Sequence, residues 1–145
     1  MKDGALVLGD IFYEAEGKIS NTRIIDWKGP KTESSFIAYG RMKPDIQVME
    51  IGTFWSIPLA NDNKVYGEDR DMIYLIEGDN TIPAATARAR VIGKPISTNM
   101  MRFAGSVFFD AFSVGKLEYL NKVVGVFEAE VTDGVNMSIR KWEWR

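Results

Sequence analysis

Two charged residues fall where the sequence otherwise calls for apolar side chains. Glu50 sits in V-M-E-I-G-T-F and Arg140 in N-M-S-I-R-K-W, both within alternating runs that read as strands. Removing a carboxylate or a guanidinium from water costs several kcal/mol unless a partner compensates. Glu50 and Arg140 are therefore expected to pair with one another, or with Asp69 and Tyr13 on the same predicted face. One outcome is structural, a buried ion pair or charges at a wetted mouth. The other is chemical: Glu50 as acid, base or hydrogen-bond acceptor, and Arg140 as holder of a carboxylate or a developing oxyanion.

The assignment of Arg140 depends on the last hairpin. Asp133-Gly134 lies between two alternating runs, and a tight turn there needs positive φ at both central residues, which favours this pair. A two-residue loop places Phe127 opposite Arg140, Gly125 opposite Trp142 and Val123 opposite Trp144. The apolar face then holds Phe127, Ala129, Arg140 and Trp142, while Glu128, Glu130, Lys141 and Glu143 face outward. A three-residue loop would shift that register by one.

Glycines recur inside the other runs. Gly17 follows Tyr13 and Ala15; Gly40 follows Phe36 and Ala38; Gly52 lies between Glu50 and Phe54; Gly67 precedes Asp69; Gly105 follows Phe103. In most of these runs the glycine-bearing face is the apolar one. Interior glycine weakens a strand and marks a bend or a close backbone approach, so one in nearly every strand fits a sheet that curls and closes on itself. The expected fold is all-β: a single domain over 1–145, an antiparallel closed barrel of roughly eight strands, with one short helix or turn near 113–121. Leu117, Tyr119 and Leu120 are expected to cap one end.

The fifth run gives the lumen its character. Ala85, Ala87, Ala89, Val91 and Gly93 form a face of small side chains, which leaves room inside a barrel of this size. With Phe36, Phe54, Phe103, Phe127 and Trp142 around it, and Tyr13 and Asp69 as polar groups, that space suits an apolar or aromatic small molecule. The competing expectation is that the rings fill it. In V-Y-G-E-D-R-D the acidic residues read as a solvated strand end, and Arg88 and Arg90 as a salt-bridged exterior. Outward positions also carry Ile37, Tyr39, Met49, Ile51, Trp55, Ile57, Val124 and Val126; a monomer rarely exposes so large a patch, so a homo-oligomer is expected.

Composition removes several chemistries. There are no cysteines and no histidines, hence no thiol or imidazole catalysis, no disulfide, and none of the usual zinc, copper or haem ligation. No cofactor and no metal is expected. A net charge of −2 and a pI near 5.2 give no electrostatic case for nucleic acid or an anionic membrane. The opening M-K-D-G-A-L-V-L-G-D lacks the apolar core of a signal peptide, and a soluble cytoplasmic protein is the expectation.

At A-E-G-K-I-S, V-Y-G-E, F-A-G-S-V-F-F, L-E-Y-L-N-K-V-V-G-V-F-E-A-E-V and the closing K-W-E-W, the chain resembles a group of small uncharacterised archaeal and bacterial proteins. Those motifs are structural and imply no activity. In general architecture it resembles allene oxide cyclase-like and lipocalin-like barrels. The first likeness implies cyclisation inside an apolar barrel with help from a carboxylate, the second carriage of an apolar ligand. No catalytic motif transfers residue by residue, and the cysteine that some cyclase sites use is missing. The expected function is thus a barrel that binds an apolar or aromatic ligand. The alternatives are a cyclase or isomerase using Glu50 and Arg140, and an oligomerisation module with a solid barrel.

Overall fold

A computed structural model describes residues 7–59 and 63–145, and the side chains of 110–112 lie outside that description. The loop read at Ala60-Asn61-Asp62-Asn63 falls outside it except for Asn63. The strands are β1 (Leu8–Asp26), β2 (Lys31–Met42), β3 (Ile46–Pro58), β4 (Val65–Glu77), β5 (Asn80–Ser97), β6 (Met100–Ser113), β7 (Val124–Thr132) and β8 (Asn136–Trp144). Each pairs antiparallel with its neighbours in sequence, and β8 pairs antiparallel with β1 to close the ring. The all-β closed barrel expected from the glycine pattern is the observed fold.

The glycines work as cross-strand partners of rings and small side chains. Phe36 is paired with Gly52, Phe103 with Gly93 and Phe127 with Gly105. A Cβ on Gly52 or Gly93 would overlap the ring of its partner. At Gly105 the obstacle is main chain, since a side chain there would run into the Arg90 carbonyl. Small residues thus give the rings a place to lie within a tightly curved wall, an arrangement known to cover strand glycines.

The two ends differ. Between β6 and β7 the chain forms a 3₁₀ helix, Gly115–Lys122, which buries Leu117 and Leu120 completely. Its Tyr119 hydroxyl donates to the Lys43 carbonyl in the β2–β3 connection. Burial, and then the charge of Glu143, push the Tyr119 phenol up to about 12, so it stays a donor. Inside this end Phe12, Val107 and Phe109 are buried, with Phe12 and Phe109 in edge-on contact at 6.0 Å. The opposite end carries the β1–β2, β3–β4, β5–β6 and β7–β8 connections.

Two local irregularities move side chains from their expected faces. In β1 the register slips between Ile11 and Tyr13, so consecutive Phe12 and Tyr13 are both buried, a bulge in effect. Phe12, which strict alternation with Tyr13 would place outside, turns in and lies against Gly125. In the last hairpin Asp133 and Gly134 do adopt positive φ, 55° and 69°, and the Val135 amide donates to the Thr132 carbonyl. The ladder resumes one residue late. Thr132 pairs with Asn136, and the Val135 carbonyl accepts from the Ile19 amide of β1 at 2.7 Å. The loop is therefore three residues long in register terms, and every side chain of β8 exchanges faces relative to the two-residue reading. Lys141 faces in, opposite Phe127; Arg140 faces out, opposite Glu128; Glu143, not Trp142, is opposite Gly125.

Candidate functional site

Mid-barrel, five polar side chains converge from four strands. Tyr13 comes from β1, Glu50 from β3, Asp69 and Asp71 from β4, and Lys141 from β8, and all are buried. Their neighbours make the room. Asp71 pairs with Gly52 on one side and Ala87 on the other, and Asp69 with Phe54 and Ala89. The small face of β5 thus lies beside two carboxylates, and only part of the space it leaves is open.

Glu50 is the hub. Its Oε1 accepts from the Tyr13 hydroxyl at 2.9 Å and its Oε2 from Lys141 Nζ at 3.3 Å. Lys141 has 0% exposure, and its ammonium also lies 4.8 Å from the Tyr13 ring centre and 5.7 Å from that of Phe127. Desolvation alone would favour a neutral amine, but the charges of Glu50, Asp71 and Asp69 outweigh it and hold Lys141 above the ordinary lysine value. Desolvation likewise pushes Glu50 up, yet Lys141 and the hydrogen bonds from Asp71, Tyr13 and Lys141 leave it below the ordinary value. Tyr13, desolvated and facing the Glu50 charge, is raised well above 10.0 and stays protonated.

The aspartates go the other way. Burial first, then the charges of Asp69 and Glu50, raise Asp71 well above 3.8. As a carboxylate Asp71 has no donor for either oxygen; as an acid it has Glu50 to donate to, which is the form the charge balance favours. Asp69 is raised to about 7, mainly by burial, with Glu50 adding to the rise and with Lys141, a hydrogen bond from Asp71 and the Ala89 backbone opposing it. Its Oδ1 is buried without a protein partner.

Asp69 also belongs to the wall of a cavity of about 160 Å³ toward the end away from the 3₁₀ helix. Phe36, Phe54, Phe103 and Phe127 line it, with Phe54 and Phe103 meeting edge-on at 5.4 Å. Thr22 and Ser34 bring hydroxyls to the rim, already bonded to each other at 2.9 Å. The rings therefore fill some of the lumen and leave the rest.

No family model, curated protein or solved structure matches this chain. Function has to be read from the barrel's own geometry.

Of the residues singled out from sequence, Glu50 and Tyr13 meet in one hydrogen bond, and Phe36, Phe54, Asp69, Phe103 and Phe127 share one cavity. Arg140 and Trp142 do not join them. The Arg140 guanidinium is exposed, 2.6 Å from Glu128 Oε1, and stacks 5.4 Å from the Trp142 ring on the outer wall. The one-residue hairpin shift accounts for both corrections. Sequence reading missed Lys141 and Asp71. The shift hid Lys141, whereas Asp71 was accessible, standing two residues beyond Asp69 on the same strand face. Its place in an acidic run suggested a solvated end instead. Among the described residues no group of acidic side chains is arranged to hold a metal ion.

Removing Lys141 strands a buried carboxylate. Lys141→Met is expected to cost about 3–5 kcal/mol in urea denaturation at pH 7, and Lys141→Met with Glu50→Gln to recover most of it. Stability should also respond to pH. Between 3.8 and about 7 the folded protein keeps a proton on Asp69 that the unfolded chain has released. Stability from this group is therefore full at acid pH and falls as pH rises through that window, by at most about 1.4 kcal/mol per unit. Asp71 acts in the same sense, and Glu50 opposes only on the acid side of 4.5. Melting temperature should drop from about pH 5 to about pH 8, and Asp69→Asn should flatten the drop.

Proposed function

We propose that the barrel binds a small apolar molecule, about the size of a single ring, in the cavity walled by the four phenylalanines. The observation that carries this reading is the cavity itself, lined mostly by phenylalanine, methionine and aliphatic side chains, with Asp69 in its wall. At about 160 Å³ it is close to the engineered apolar cavity of about 150 Å³ that takes up benzene, and well below the ~300–1,000 Å³ of sites for drug-sized ligands. A fatty acid or a folded polycyclic substrate does not fit this volume.

The enzymatic alternative is weaker. A cyclase or isomerase working through Glu50 and Arg140 would need both in the lumen, and Arg140 is outside. Lys141 is no substitute as a nucleophile, since it is held protonated and engaged by Glu50.

Outside, the register brings Ile37, Ile51 and Met72 into one row and Tyr39, Met49 and Tyr74 into the next. Ile37, Tyr39 and Ile51 are exposed. This patch supports self-association of a soluble, cytoplasmic protein, because Arg70, Arg88, Arg90 and Arg102 stud the same outer wall and oppose a lipid-facing belt. No helix among the described residues is long and apolar enough to cross a membrane. Ile51→Glu is expected to reduce the sedimenting mass of the protein; an unchanged mass would rule this patch out as the interface.

Binding is tested by titrating the protein with benzyl alcohol and following amide resonances. Saturable shifts are expected at Phe36, Phe127 and Ala129, and they should vanish in Ala129→Phe, which fills the cavity. Shifts scattered over the outer wall, or none, would mean that the lumen takes no ligand.

A further inference from the structure

The end of the barrel away from the 3₁₀ helix carries a second feature, independent of what the cavity holds. We propose that the β1–β2 hairpin docks the barrel by its tip on an anionic bilayer surface, with Trp27 at the depth of the lipid headgroups and lysines against the surrounding phosphates.

The hairpin stands clear of the barrel. β1 pairs with β8 only as far as Lys18 with Asn136, and β2 with β3 only as far as Thr32 with Ser56. Beyond those points the two strands continue with each other, through Arg23 with Glu33 and Asp26 with Lys31, to a turn over 27–30. Adjacent strand residues point to opposite faces, yet Ile24 and Ile25 are both exposed, at 43% and 41%. Neither face of the hairpin is therefore covered by the rest of the chain. Trp27, in the turn, is 82% exposed, more than any other large apolar side chain described. An indole, apolar in body with one N–H to donate, is suited to the layer between water and hydrocarbon. Ile96 near the end of β5 and Val135 in the β7–β8 connection are exposed at the same end.

Charge selects the bilayer over a second copy of the chain. Around these connections Arg23, Lys28, Lys31, Lys64 and Lys94 stand against Asp26, Glu33 and Asp133. The net charge of −2 averages over the whole surface and leaves this rim positive. The acids are engaged within the chain. Glu33 meets Arg23 at 2.8 Å, Asp133 accepts from the Asn99 side chain at 3.3 Å, and Asp26 accepts from the Lys28 amide at 2.9 Å. Two copies set tip to tip would bring their lysines together, whereas anionic headgroups attract them. Thr22 and Ser34, at the base of the same hairpin, border the cavity, so docking turns its open side to the bilayer.

The test is co-sedimentation of the full chain with phosphatidylcholine vesicles, with and without phosphatidylglycerol. Binding is expected to the mixed vesicles, about ten-fold tighter than to phosphatidylcholine alone. Trp27→Ala and Lys28→Glu should each weaken it about ten-fold or more. Trp144→Ala, which removes an exposed indole from the opposite end, should leave it unchanged. Because Trp27 is so exposed, its replacement leaves the folded barrel intact, and an unchanged melting temperature checks this. No sedimentation with either vesicle overturns the proposal, as does equal binding to both, or a loss in Trp144→Ala and not in Trp27→Ala. A self-associated mass that falls in Trp27→Ala, with no vesicle binding, gives the tip to a second copy and also overturns it. None of these outcomes alters the benzyl alcohol titration, so the cavity reading stands or falls separately.

Discussion

One ammonium group in a dry lumen governs what else the barrel interior can hold. Lys141 is sealed from water, and a lone charge so placed would be untenable. Glu50 answers it directly, Tyr13 fixes the other oxygen of Glu50, and burial, then the neighbouring carboxylates, push Asp71 toward its neutral form. The two aspartates keep buried oxygens without a donor, and of the two it is Asp69 that belongs to the cavity wall. The polarity of the cavity is thus what remains after the ion pair has been satisfied.

The wall is built to the same economy of space. Rings that would collide in a narrow barrel are laid across glycines of the neighbouring strand, and alanines on β5 clear room for two aspartates. Toward the 3₁₀ helix Phe12, Phe109, Leu117 and Leu120 are buried and close the interior; toward the other end the phenylalanines leave a gap of single-ring size. One barrel therefore has a solid half and a hollow half. The hydrogen bond from Tyr119 to the β2–β3 connection belongs to the solid half.

Much of this was legible from residue types. Alternation and interior glycine identified the strands, their inner faces and the closure, because both patterns report directly on the period of the pleat and the curvature of the wall. Glu50 and Asp69 were found by the same logic, as charges on glycine-bearing faces. The misses have a different physical origin. Arg140 and Lys141 exchange roles because Val135 gives its carbonyl to Ile19 of the adjoining strand β1, a bond distant in sequence that turn propensity does not contain. Phe12 turns inward at a bulge whose cause is likewise the pairing of β1 with β8. Asp71 was overlooked for a simpler reason: a run of acidic residues looks solvated until the small residues facing it on β3 and β5 are placed.

The closure between β1 and β8 bears on how the chain folds. Every other pairing joins strands adjacent in sequence and can form by short loops, whereas this one brings together segments at opposite ends of the chain. Loop-closure entropy is concentrated in that single seam. The same seam carries the Ile19–Val135 bond that sets the register of β8, and with it the choice of which cation enters the lumen. Until β8 docks, Lys141 can stay in water; docking one residue out of step would bring Arg140 inward in its place. The closing seam thus proofreads the barrel, since only the correct register of β8 delivers an ammonium to Glu50.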